Sequence, residues 1–146
     1  VTISSYGLSL ILAMIACVIG GVQGGLNLAR PRAVLGLTSL EPDDETPPAA
    51  KVVTEGRALG GLLILSHAVT ALFLGYQSSV GAAMAFALAM AWLGAAFGRG
   101  FSALLDKARD SFNLGSLGFE VLIALTLSLP FFNAGRLVLR GHGMLV

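Results

Sequence analysis

Charge, cysteine and histidine are all scarce in this chain. Charged residues make up 12% of its 146 positions, against about 25% in a soluble domain. The net charge of +1 leaves no electrostatic footprint for nucleic acid. Cys17 is the single cysteine, which excludes an internal disulfide and any multi-cysteine metal site. The two histidines, His67 and His142, and the scattered carboxylates follow no zinc or di-iron spacing. No G-x-S-x-G, P-loop or H-E-x-x-H run is present. No catalytic residue is assigned on these grounds and no metal site is expected. Period-2 alternation is missing as well, so strands are not expected.

What is abundant is apolar sequence. Hydrophobic residues account for 55% of the chain and the mean hydropathy is +0.84, values of the membrane class. A membrane helix needs about 20 mainly apolar residues. Four windows qualify, at about residues 6–28, 58–75, 80–98 and 114–132. The first is not read as a signal peptide, because residues 1–26 hold no basic n-region and the run exceeds a normal h-region. Met14-Ile15-Ala16-Cys17 faintly resembles a lipoprotein cleavage box, but apolar sequence continues past it. We therefore expect an all-α integral membrane protein, a four-helix antiparallel bundle forming one membrane domain over residues 1–146.

The connections carry most of the charge. Arg30-Pro31-Arg32 stops the first helix, since proline restricts the residue before it. The acidic "SLEPDDETPP" follows within the connection 29–57, and Pro47-Pro48 suits the first turn of the next helix. Residues 76–79 are too few to do anything but join antiparallel neighbours. Pro130 is expected to kink the end of the fourth span. Arg30, Arg32, Lys51, Lys107 and Arg109 lie on one side of the membrane, and Arg136 and Arg140 on the other. The positive-inside bias then places both long connections in the cytoplasm and both termini outside, with Tyr6 and Tyr76 at the outer interface.

Small residues form faces. Gly20, Gly21, Gly24 and Gly25 make two overlapping GxxxG spacings, Gly60 and Gly61 open the second span, and Gly94 and Gly98 lie in the third. Such faces let helix backbones approach closely, within the bundle or against a partner subunit. Gln23 and Asn27 extend the first of these faces, where an interhelical hydrogen bond contributes about 0.6 to 2 kcal/mol.

The run "FGRGFSALLDKARDSFNLGSLGFE" holds the charges that most need explaining. Arg99, Ser102, Asp106, Arg109 and Asn113 follow i, i+3, i+7, i+10, i+14, which is one helix face. The third helix is thus expected to continue past Gly98 as an amphipathic interfacial segment and to break around residues 113–118. Glu120 lies roughly 9 Å into the fourth span at 1.5 Å per residue. A central charge costs about 2.5 to 3.5 kcal/mol on insertion scales. Protonation or pairing with a cation reduces that cost, and Arg57 and Arg99 are the natural cations, able to grip a carboxylate by two parallel hydrogen bonds. We expect a polar cluster of Arg57, Arg99, Ser102, Asp106, Asn113 and Glu120, with Glu55 nearby. It either fixes helix register or serves an ion, an anionic substrate or a lipid headgroup. His67, in the middle of the second span beside Ser66 and Thr70, is expected to make one interhelical hydrogen bond. It is also a candidate haem or chlorophyll ligand. Trp92 is read as packing.

"EGRALGGLLIL", "FGRGFSALLD", the glutamate of "LGFEVLIALTL" and "RPRAVLGL" together resemble a family of small four-helix bacterial membrane proteins known only as a domain of unknown function. The resemblance covers most of residues 25–130. It implies the same fold, a bacterial inner-membrane location, and motif positions at Arg57, Gly60, Gly61, Gly98, Arg99, Ser102, Asp106 and Glu120; it implies no activity. The chain departs from the pattern at "KARDSFNLGS", where a tighter Asp-Gly-type turn is expected. Three functions are weighed. The first is a non-catalytic accessory or assembly subunit of a larger membrane complex. The second is a small transporter or ion- or lipid-binding protein that uses the buried cluster. The third is a membrane enzyme, which would need an activated nucleophile or a metal. The expected partners are membrane lipids and other membrane subunits or a second copy of the chain, with no nucleic acid. No cofactor is expected other than a bound lipid or pigment.

Overall fold

The computed structural model describes residues 4–34 and 47–142. The acidic stretch therefore lies mostly outside the described residues, as do the side chains of Arg136 and Arg140. The described chain forms five helices: α1 (Ser5–Ala29), the single turn α2 (Pro31–Val34), α3 (Pro47–Tyr76), α4 (Ser78–Leu105) and α5 (Ser111–His142). Within α1, α3, α4 and α5 lie four stretches long and apolar enough to cross a membrane: Ser5–Ala29, Ala50–Tyr76, Ser78–Leu105 and Ser111–Asn133. The shortest, of 23 residues, is about 35 Å long at 1.5 Å per residue, enough for a hydrocarbon core of about 30 Å. The protein is an all-α, multi-pass membrane bundle.

Local chemistry sets the helix ends. Ser4 caps α1, its hydroxyl accepting from the Gly7 amide at 3.0 Å. α1 ends directly before Arg30-Pro31, and Pro31 takes the first position of α2, where its missing N–H leaves no helical bond unmade. Pro47-Pro48 open α3 for the same reason. Only Gln77 separates α3 from α4, and the Gln77 amide still donates to the Phe73 carbonyl at 2.8 Å. α5 runs through Pro130, which is buried.

The break between α4 and α5 falls earlier than the sequence pattern implies. α4 continues past Gly98, but it stops at Leu105, and α5 starts at Ser111 rather than after Gly118. Two side chains and one backbone angle produce this. Lys107 takes the left-handed conformation at φ 56°, a position where glycine is usual. Arg109 Nε donates to the freed Ala103 carbonyl at 3.1 Å, and Asp110 accepts from the Asn113 amide at 3.3 Å as the cap of α5. Arg109 and Asn113 therefore do not continue the helical face of Arg99. The chain turns, and Asn113 comes back beside Arg99 from the next helix.

Around the bundle the order is α1, α3, α4, α5, with α1 closest to α3, α4 closest to α5, and α1 diagonal to α4. Small residues make up much of the interior: Ala13, Ala16, Cys17, Ala82, Ala85, Ala89 and Ala124 are all buried, beside a few large side chains such as Leu74, Ile123 and Leu127. Large apolar side chains such as Ile15, Val18, Leu62, Leu65, Leu72 and Leu122 point outward. This reverses the distribution of a soluble bundle and suits lipid, where close backbone packing rather than water exclusion holds helices together.

The glycines divide into two groups. A Cβ on Gly24 would lie 2.8 Å from the Gly60 carbonyl oxygen and 2.8 Å from Leu63 Cβ, and one on Gly60 would meet the Gly24 carbonyl oxygen at 2.6 Å. Gly20 lies directly against the His67 ring. Gly21, Gly25, Gly61, Gly94 and Gly98 face open space. Only Gly20, Gly24 and Gly60 of the eight anticipated packing glycines thus lie at a close approach between α1 and α3. Gly24→Ala is expected to separate α1 from α3 and to lower stability by about 1–3 kcal/mol, the usual range for overpacking. Gly25→Ala should leave stability unchanged or slightly raised. Unfolding of the two variants in one detergent checks the contrast.

Candidate functional site

Several polar side chains inside the spans gather along one cleft. It lies between α3 and α4, with α1 and α5 as its back wall, at the end of the bundle away from Gln77, and it encloses about 500 Å³. α3 contributes Leu59, Leu62, Leu63, Ser66 and His67, and α4 contributes residues from Leu88 to Ser102. Gln23 and Asn27 of α1 and Asn113, Phe119 and Glu120 of α5 close the back. Leu62, Ala91, Ala95 and Gly98 are exposed at its mouth, so the cleft opens sideways, toward the acyl chains of a bilayer.

Arg99 and Glu120 form its charged floor. Arg99 Nε donates to Glu120 Oε1 at 2.7 Å. The Glu120 side chain is 5% exposed and that of Arg99 34%. Arg99 Nη1 turns to Asn113 Oδ1 at 3.4 Å, and Asn113 Nδ2 donates to the Ala108 carbonyl at 2.7 Å and the Arg99 carbonyl at 3.3 Å. The grip on Glu120 is thus single, not the parallel pair the guanidinium can make. Glu120 Oε2 is buried with no hydrogen-bond partner among the described residues. That is an expensive position for a carboxylate oxygen, because low dielectric strengthens every bond made and raises the cost of every bond missed.

The other sequence candidates separate. Arg57 is engaged elsewhere: its Nη1 donates to the Leu28 carbonyl at 2.8 Å, at the end of α1. The reason is geometric, since α3 packs on α1 and not on α5. Asp106 accepts from Ser102 Oγ at 2.9 Å in an exposed pair at the end of α4. Glu55 is exposed. Gln23 donates to Asn27 at 3.4 Å within α1, an intrahelical bond where an interhelical one was expected.

His67 stands at the inner end of the cleft, 1% exposed. Its Nδ1 lies 2.7 Å from the Leu63 carbonyl, which can only accept, so Nδ1 carries the proton. Nε2 then accepts from Trp92 Nε1–H at 3.0 Å. Both ring nitrogens are engaged, and a haem or chlorophyll would have to displace the Trp92 donor. Trp92 is therefore more than packing. It donates to α3, and its ring meets Phe119 of α5 edge-on at 5.8 Å. With Gly20 beneath the histidine, this unit ties all four long helices together. Among the described residues, no three His, Cys, Asp or Glu side chains come together in a metal-binding group.

Residues 6–130 match the family described as a domain of unknown function (DUF4345), and the chain belongs to that family. Comparison with curated proteins and with solved structures gives no match.

Arg99→Ala leaves the Glu120 carboxylate buried without its cation. The expected loss is about 3 kcal/mol, the low end for breaking a buried pair, because one side of Arg99 is open. Arg99→Lys should recover only part of it, lacking the planar fork. Unfolding in detergent, with the three proteins compared side by side, measures both.

Proposed function

We propose that this protein binds a lipophilic molecule taken from the bilayer, held in the cleft between α3 and α4. One observation carries the reading: the cleft has walls of leucine, alanine and aromatic rings, a polar floor at Arg99 and Glu120, and a mouth that faces lipid. A register-fixing ion pair alone has no need of about 500 Å³ of space beside it. This favours a lipid-binding role over ion relay, because among the described residues the polar groups that line the cleft end at the His67–Trp92 pair. In this reading the protein sits in a bacterial inner membrane, as the resemblance to small bacterial membrane proteins implies, and both termini lie outside, as the positive-inside bias of its connections suggests. Purified in mild detergent, it should retain a small lipophilic molecule visible by native mass spectrometry. Ala95→Phe, which fills the mouth, should lose that molecule while remaining folded. Retention in the variant equal to wild type would refute the assignment.

A second reading has its own support. Gly21 and Gly25 of α1 and Gly61 of α3 face open space, leaving a shallow outer surface where another membrane helix can approach. An accessory or assembly subunit of a larger complex would dock there. Gly25→Leu should then abolish co-purification of other membrane subunits without lowering bundle stability.

A further inference from the structure

The polar end of the cleft holds donors that the protein itself leaves unused. Arg99 donates from Nε to Glu120 and from Nη1 to Asn113, and its Nη2 meets no acceptor among the described residues. Asn27 accepts from Gln23 through Oδ1, and its Nδ2 has no partner among those residues. The Ser116 hydroxyl has none there either. All three side chains line the cleft. Asn27 is buried, and Arg99 and Ser116 are half-buried. None of the three free groups is sealed off. Among the described residues that are not exposed, Glu120 Oε2 is the one side-chain oxygen or nitrogen that is both buried and unpartnered, so these three keep accessible surface.

Helix register brings them to one depth. Gly20 of α1 lies against His67, and Trp92 of α4 donates to His67, so Gly20 and Trp92 share a level. α1 and α4 run in the same direction, with α3 between them in the chain. Asn27 is seven residues beyond Gly20, and Arg99 is seven beyond Trp92. Seven residues make two turns, about 10.5 Å along the axis and about 20° from the starting face. Both side chains therefore return to the interior face at a common level, toward the same end. On α5, Ser116 lies three residues after Asn113 and four before Glu120, on their face, and Arg99 bonds to both of those.

Charge decides which acceptor suits these donors. The Arg99 cation is already matched by Glu120 at 2.7 Å. A carboxylate head would place a second anion beside Glu120 and leave the buried site with net negative charge. An ammonium head would bring more donors and no acceptor. An uncharged carbonyl oxygen offers two lone pairs, carries no donor of its own and adds no charge. The apolar walls, among them Leu59, Leu62, Leu88 and Ala91, then receive the rest of the molecule.

We infer that the cleft selects lipophiles headed by an uncharged carbonyl group, an ester or a ketone, whose oxygens accept from Arg99 Nη2, Asn27 Nδ2 and Ser116 Oγ. The inference rests on the lipophile-binding reading above, and the test separates the two. Trp92 is the single tryptophan and lines the cleft, so bromine on a bound probe quenches its fluorescence by contact. Probes are methyl 10-bromodecanoate, 10-bromodecanoate and 1-bromodecane, titrated into the protein in lipid nanodiscs. The ester should quench saturably with a Kd at least about tenfold below that of bromodecane, as expected for a hydrogen bond from a charged donor. It should also bind more tightly than the carboxylate. The probes partition differently into lipid, so variants carry the assignment. Ser116→Ala and Asn27→Leu should each weaken ester binding by about threefold or more, the scale of one neutral hydrogen bond, and leave bromodecane within about twofold. Ser116 makes no side-chain bond among the described residues, so Ser116→Ala keeps the fold and decides even if Asn27→Leu does not. Equal binding of ester and bromodecane, or ester binding unmoved by Ser116→Ala, overturns the carbonyl assignment but leaves a lipophile-binding cleft. Tighter binding of the carboxylate overturns the uncharged head. Saturable quenching by none of the three overturns both readings.

Discussion

A carboxylate inside hydrocarbon needs a cation and donors, and the Arg99–Glu120 hydrogen bond is how this bundle meets that need. It joins α4 to α5 at 2.7 Å, two helices in extensive contact. The turn between those helices is arranged around it. Lys107 in a left-handed conformation, Arg109 on the Ala103 carbonyl and Asp110 on the Asn113 amide end one helix and start the next within a few residues. Asn113 is then returned to the side of Arg99, where it both accepts from the guanidinium and donates to backbone carbonyls. The ion pair is incomplete by one oxygen, Glu120 Oε2, which is buried with no hydrogen-bond partner among the described residues.

A second set of polar contacts holds the other end of the cleft. His67 fits between α1 and α3 because position 20 has no side chain, and it reaches α4 through Trp92. Its proton is assigned by the Leu63 carbonyl, so the ring has one tautomer and one orientation. In lipid, such bonds contribute modestly each, but these are placed where helices are otherwise joined only by small residues. The cleft is thus bounded below by a charged pair and above by a neutral one.

The distribution of side-chain size supports the same picture. Alanine, glycine and cysteine supply much of the interior beside a few large side chains such as Leu127 and Ile123, and most leucine, isoleucine and valine faces outward. Helices drawn close by Gly24 and Gly60 leave little room between α1 and α3. The looser α3–α4 side is where space remains. A cleft formed this way is a by-product of unequal packing around a ring of four helices, and its polar lining is what makes it a candidate site.

Composition and hydropathy alone determined the class, the number of spans and their antiparallel order, because a run of about 20 apolar residues has few stable alternatives to a membrane helix. The need of Glu120 for a cation was equally legible, since burial of a charge is a local property of its position. Which arginine serves it was not. Arg57 and Arg99 are equivalent by position in their spans, and only the packing of α4 on α5 and of α3 on α1 selects Arg99. The face predicted through Arg109 and Asn113 failed because periodicity assumes a continuous helix, and a turn stabilised by side-chain caps interrupts it. The bond from Trp92 to His67, the division of the glycines into packed and open, and the cleft itself depend on distances between helices. No single helix encodes those distances; they follow from how four surfaces fit at once.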